Sequence, residues 1–279
     1  MANITEYPSQ IRRDIVRMVH DAQSGHPGGS IGTVEFFTAL FHEIMDVNPD
    51  TFSVESTGED TFILSNGHIT PVYYSTLAHR GYFDKKELAS FRKLGSRLQG
   101  HPSVHDGLPG VRIASGSLGQ GLSVALGVAR GKKLNGDKHL VYTLHGDGEL
   151  QEGQIWEAVL YAGAKSVDNL VSTIDFNNAQ IDGTVDDVLS LGNLKAKFEA
   201  FNWTVVEIKK GNDLQAVTEG LQQAKALTGK GKPVAVILHT KMGYGIDFME
   251  GDYRWHGKPF NDEQMQKALA QLPETLGDY

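Results

Sequence analysis

Two short motifs in this 279-residue chain place oxygen ligands among glycines. One is Gly146-Asp147-Gly148. The other is Asn177-Asn178, within Asp175-Phe176-Asn177-Asn178-Ala179-Gln180-Ile181-Asp182-Gly183. Hard cations such as Mg²⁺ or Ca²⁺ take oxygen ligands, often a few from protein and the rest from phosphate and water. Asp147 offers a carboxylate, Asn177 an amide oxygen and the following loop a backbone carbonyl. Glycines on both sides of Asp147 let the backbone approach a diphosphate, and a helix starting near Gln154 would turn its N-terminal dipole toward that anion. Taken singly, Gly-Asp-Gly is an ordinary turn and Asn-Asn an ordinary loop. Residues 149–176 leave room between them for one helix and one strand, which returns both motifs to the same edge of a sheet.

Histidine is the second chemical signal. The chain has 11, and residues such as His20, His42, His79, His105 and His139 show that the type alone says little, because it also serves in cores and on surfaces. His26, His68, His101 and His256 differ in sitting within glycine-containing loops: Ser24-Gly25-His26-Pro27-Gly28, Leu64-Ser65-Asn66-Gly67-His68, Gly100-His101-Pro102 and Trp255-His256-Gly257. Imidazole can donate, accept or carry charge near neutral pH. The run Gly116-Ser117-Leu118-Gly119-Gln120-Gly121 lacks the glycine spacing of a dinucleotide loop and follows no clear strand.

The elements that must position these groups alternate. Apolar, β-branched runs at Thr61–Leu64, Leu140–Leu144, Leu170–Ile174, Thr204–Ile208 and Val234–Leu238 predict strands buried on both faces. Helical spacing of Ile11, Ile15, Met18 and Val19 after Pro8 predicts a helix ended by Gly25. Further helices are expected from Asp84 through Lys93 and over 118–134, 154–164, 191–201, 213–227 and 262–272. The alternation predicts one α/β domain over 1–279, a doubly wound parallel sheet flanked by helices on both faces. Gly146 and Phe176 follow two of the strands, so both motifs fall at strand exits, where such sheets bind ligands.

Composition closes several alternatives. With no cysteine there is no disulfide, thiolate nucleophile or Cys-ligated metal. A net charge of −8 without an extended run of Lys or Arg argues against nucleic acid. The polar segment Met1 to Gln10 holds no signal core and no stretch approaches a membrane span, so a cytoplasmic protein is expected.

Taken together, in order and spacing, these segments resemble transketolase. They are joined by Gly146-Asp147-Gly148-Glu149-Leu150-Gln151-Glu152-Gly153 and by the paired Gly-Asp-Gly and Asn-Asn fingerprint of thiamine diphosphate enzymes. The resemblance covers nearly the whole chain but only the first part of a full-length transketolase. It implies that Asp147, Asn177 and the carbonyl of Ala179 hold Mg²⁺ or Ca²⁺. It implies that His68, Gly148 and His256 approach the diphosphate, that Gly116 and Leu118 line the thiamine channel, and that Ile181 packs on the cofactor rings. His26, His101 and His256 would face the sugar hydroxyls. Glu152 and Glu157 match acidic residues of the dimer interface, thought to relay protons between paired sites, and equally fit ordinary carboxylates at the start of a helix. Departures are His145 in place of an aliphatic residue, Ala179 in place of a larger one, and Ser117 in place of a proline.

In the family, the glutamate that activates the aminopyrimidine, and most ligands of the substrate phosphate, lie in a following pyrimidine-binding domain. The resemblance therefore implies a complementary C-terminal subunit. It also implies a dimer of heterodimers, and transfer of a two-carbon ketol unit from a ketose phosphate to an aldose phosphate. The ending soon after the last helical pattern favours a naturally separate chain. The rival readings are another thiamine reaction, such as deoxyxylulose-phosphate synthesis or 2-oxo acid decarboxylation, and a non-catalytic cofactor-binding scaffold.

Overall fold

Five apolar runs form the strands β1 (Thr61–Leu64), β2 (Val141–Gly146), β3 (Leu170–Phe176), β4 (Thr204–Ile208) and β5 (Val234–His239). The computed structural model describes residues 3–279. The strands build one sheet in the order β1-β2-β3-β5-β4, with every pair parallel. β2 and β3 run two residues further than their apolar runs suggest, to Gly146 and Phe176, and so deliver both motifs directly from the sheet edge. Their register pairs Gly146 with Asp175, so Asp147 and Asn177 emerge side by side.

Helices cover both faces. On one face Phe62, Leu64, Tyr142, Leu144, Val171, Val234 and Val236 join a core with α1 (Tyr7–Ala22), α2 (Pro27–Gly32), α3 (Val34–Ala39), α4 (Thr70–Arg80), α9 (Leu214–Leu227) and α10 (Asp262–Gln271). On the other, Ile63, Val141, Leu170, Ile174, Ala235 and Ile237 pack with α5 (Gly121–Leu134), α6 (Gly153–Ala164), α7 (Val185–Leu189) and α8 (Leu194–Ala200). Alternate strand residues point to opposite faces, which is why near-continuous apolarity in the strands marks a sheet covered twice.

Several elements depart from expectation. The segment after Asp84 is a short 3₁₀ stretch, Lys85–Ser90, with the Asp84 side chain accepting from the Lys86 N–H. The helix expected from Leu118 begins only at Gly121, because Gly116 and Gly119 take positive φ and hold the preceding segment as a loop. α2, α3 and α4 lie outside the helices that the sequence pattern predicts. Nearly all their residues are buried, so they lack the polar stripe that reveals a helix in sequence. α4 nonetheless carries end signals, Pro71 in its first turn and Gly81 in the left-handed conformation after Arg80.

Candidate active site

Four loops converge beyond the carboxyl ends of β1, β2 and β3. From β1 the chain passes through buried Ser65 and Asn66 into a tight turn, Gly67–Ile69, that carries His68. A side chain at Gly67 would meet the backbone of Ser115 and Gly116 within 2.8 Å, so this turn and the loop before α5 can approach only through glycine. His26 directly precedes α2. His256 follows a turn, Tyr253–Trp255, that Trp255 anchors by donating its indole N–H to the Phe248 carbonyl at 2.9 Å. The His26 ring lies 5.0 Å from His68, 5.5 Å from His256 and 6.3 Å from His101, and His68 lies 5.0 Å from His256.

These rings are held neutral. Burial, helped by His256, Arg92 and His101, lowers His26 to about 4. Burial, then the neighbouring imidazoles, puts His68 well below its ordinary value. Burial lowers His256, and burial followed by Arg92 lowers His101. Nδ1 of His26, Nδ1 of His256 and Oδ1 of Asn66 are buried without a hydrogen-bond partner among the described residues. Native structures rarely leave such atoms unpaired unless a ligand or water completes them. Neutral imidazoles, each one donor and one acceptor, suit a ligand bearing hydroxyls.

The β2 and β3 exits carry the opposite charge. Asp147 is buried and accepts from the backbone N–H of Gly148 at 2.8 Å, Asn177 at 3.0 Å and Asn178 at 2.5 Å. Asp175 is buried beside it, accepting from the Asn177 amide at 2.7 Å and from the Thr240 hydroxyl. Burial and the charge of Asp175 raise Asp147 to about 7, and burial raises Asp175 to about 6. Two adjacent buried carboxylates, with no ion pair among the described residues, are the environment a bound divalent cation relieves. Among the described residues no three His, Asp or Glu side chains form a metal cage. One carboxylate, one amide and one carbonyl instead fit a hard cation that shares its coordination with phosphate oxygens.

A cleft of about 380 Å³ gathers most of the expected residues. His26, His68, His256, Gly116 and Leu118 line it, as do Asp147, Gly148, Glu152, Asn177, Ala179 and Ile181. His101 is off its wall but packs against Gly116, whose φ of +131° suits glycine. Glu157 lies outside the cleft, on the exposed face of α6 with Leu160 and Tyr161. The cleft also takes in Asn66, Glu149, Asp175, Gln151, Gln180 and Met242, which sequence reasoning did not assign. Asn66, Glu149 and Asp175 stood inside the recognised motifs, whereas nothing local distinguished Met242.

Glu149 is the most connected of these. It accepts from the Ser65 hydroxyl at 2.5 Å, the Gly119 N–H at 2.9 Å and the Gly146 N–H at 3.2 Å. Burial alone would raise its carboxyl, but nearby His145, Ser65 and Gly119 bring it below its ordinary value. His145 is buried behind it, with Nε2 at 2.6 Å from the Thr143 hydroxyl.

The family described as "Transketolase, thiamine diphosphate binding domain" matches residues 5–274. The chain belongs to that family. It is 35% identical over 265 residues to one subunit of the apulose-4-phosphate transketolase of Phocaeicola vulgatus, covering 95% of this chain and 92% of that one. The corresponding subunit from Actinobacillus succinogenes is 38% identical over 266 residues, covering 95% and 94%. The solved transketolase of Leishmania mexicana superposes with a TM-score of 0.90 at 30% identity, covering 100% of this chain but 42% of that one. The chain thus spans about two-fifths of that full-length transketolase and nearly all of the two apulose-4-phosphate transketolase subunits. The fold is the thiamine diphosphate-binding fold, and thiamine diphosphate is the cofactor of this transketolase domain. Among the described residues no helix is long and apolar enough to cross a membrane.

Proposed function

We propose that this chain is the diphosphate-binding subunit of a two-chain, cytoplasmic transketolase, with residues 1–279 acting as one metal- and diphosphate-binding domain. The observation that carries the reading is one cleft joining two buried acidic loops to a cluster of neutral histidines. When bound, thiamine diphosphate supplies the electron sink for breaking the bond beside a ketose carbonyl. Asp147, Asn177 and the Ala179 carbonyl would hold Mg²⁺ or Ca²⁺ against the diphosphate, with Gly148, His68 and His256 facing that end. Leu118, Gly116 and Ile181 would line the apolar course of the rings. His26, His101 and His256 would donate to and accept from the sugar hydroxyls, orienting the reacting carbon and moving protons at its oxygens.

The partner reading draws on the relatives that are themselves named as transketolase subunits and on the surface. Leu118 and Ile181 at the cleft are exposed, as are Val188, Leu189, Val124, Leu160 and Tyr161. α5 and α6 are joined by the Gln154 amide donating to Ser123 at 2.6 Å. Apolar exposure of this kind marks an interaction face. A complementary subunit seated there would bring the pyrimidine-binding domain and its activating glutamate. Two-fold symmetry, the common closure, would give two copies of each chain, with Glu152 and Glu157 at or near the contact. The decisive experiment mixes the purified chain with its candidate partner, then measures mass by light scattering and ketol transfer from xylulose 5-phosphate to ribose 5-phosphate and other aldose phosphates. Heterotetramer formation with activity only in the mixture is expected. Full activity from this chain alone would overturn the split-enzyme reading.

A further inference from the structure

We propose that Glu149 is a positioning residue whose carboxylate sets the spacing between the thiamine channel and the metal-binding loop, an inference that rests on the cofactor reading above. Its three donors come from three different segments. Ser65 immediately precedes the turn carrying Asn66 and His68, Gly119 ends the loop that holds Gly116 and Leu118, and Gly146 immediately precedes Asp147. Ser65 is 84 positions away in sequence and Gly119 is 30. One carboxylate thus ties the loops expected at both ends of the cofactor.

The residue type follows from the donors. A carboxylate accepts at two oxygens and donates nothing, so it matches a hydroxyl and two backbone N–H groups arriving together. Hydrogen bonds to a charged acceptor are stronger than neutral ones. Ser65 is fully buried and Glu149 nearly so, and an unmatched donor there would be costly. Packing enforces the same distance from the other side: a methyl group at Gly121 would strike the side chain and backbone of Ser65. Both oxygens already accept from the surrounding segments, Oε1 from Ser65 and Gly119 and Oε2 from Gly146. It acts through the loops it holds.

The test compares Glu149→Gln and Ser65→Ala with the unaltered chain, using thiamine diphosphate with Mg²⁺ in calorimetry and melting each protein without cofactor. An amide turns a donor toward one of the three donors, so Glu149→Gln should weaken cofactor binding by roughly tenfold to a hundredfold. Ser65→Ala removes one arm without adding a donor. It should weaken binding by about threefold to tenfold, and because the bond exists without cofactor it should also lower the cofactor-free melting temperature modestly. In the complex with the partner subunit, KM for thiamine diphosphate should rise while kcat at saturating cofactor holds. A merely structural role would also lower the melting temperature but leave that split absent. Unaltered affinity in Ser65→Ala overturns the proposal even if Glu149→Gln fails to fold, as does a loss of kcat with KM unchanged. Absence of binding by the unaltered chain removes the cofactor reading and this proposal with it.

Discussion

At the amino ends of β1 and β2 a buried lysine is fully answered. The Lys132 ammonium donates to the Ser56 carbonyl at 2.6 Å, the Glu59 carbonyl at 2.9 Å and the Asp137 carboxylate at 3.0 Å. Glu59 pairs in turn with Arg112. At the carboxyl ends of β2 and β3, Asp147 and Asp175 are buried together, and among the described residues neither has an ion pair. The nearby histidines leave ring nitrogens without partners. Burying a charge is costly unless it is paired. The amino end pairs its opposite charges within the chain, although Oε2 of Glu59 is buried without a hydrogen-bond partner among the described residues, and serves stability. The carboxyl end leaves its like charges and orphaned acceptors for something from outside, which is the signature of a binding site rather than a core.

The largest effect should come from removing the unanswered charge. Asp147→Ala should abolish metal-dependent thiamine diphosphate binding in calorimetry while the fold persists, since the diphosphate loses its bridging cation. Unchanged affinity would defeat the metal assignment. Proton linkage sharpens the same contrast. With folded values of about 7 and about 6 against an ordinary 3.8, the Asp147 and Asp175 pair binds protons more tightly folded than unfolded. Its stabilising contribution is therefore complete below pH 4 and lost as pH rises through 7. In chelator, urea melts should show the unaltered chain losing roughly a few kcal/mol relative to Asp147→Asn across that window, and Mg²⁺ with thiamine diphosphate should restore it.

A second, smaller effect concerns the histidines. His26→Ala and His101→Ala should reduce kcat/KM for ketol transfer by about a hundredfold, in the range for lost proton transfer and orientation. Cofactor affinity should change far less. If calorimetry instead shows mainly lost affinity, with full turnover at saturating cofactor, their assignment to the sugar is wrong.

The smallest functional effect should come from the opposite end. Lys132→Ala takes one donor from Asp137, which keeps His139 and Gly58, and the ammonium donor from the Ser56 and Glu59 carbonyls, and should lower unfolding stability by roughly 1–3 kcal/mol. Thiamine diphosphate affinity should be unaltered. A cofactor-binding defect at unchanged stability would erase the distinction drawn between the two ends.

Much of this was legible in local sequence. The β-branched runs announced all five strands, because a sheet covered on both faces demands continuous apolar residues that local composition can display. The glycine-containing loops that the fold brings around one cleft stood out in sequence because glycine marks places where backbone must come close. Other features were not legible. α2, α3 and α4 are buried almost all round, so no periodicity betrayed them. The insertion of β5 between β3 and β4, which brings Thr240 against Asp175, depends on which strands pair and not on any one strand's residues. Glu149 read as one more acidic residue after a turn. Its role emerged only when folding placed Ser65, Gly119 and Gly146 around its carboxylate. Propensity and turn chemistry act over a few residues and are written in the chain order. Burial, charge pairing and hydrogen-bond completion act through space, and tertiary structure alone determined which distant groups would supply them.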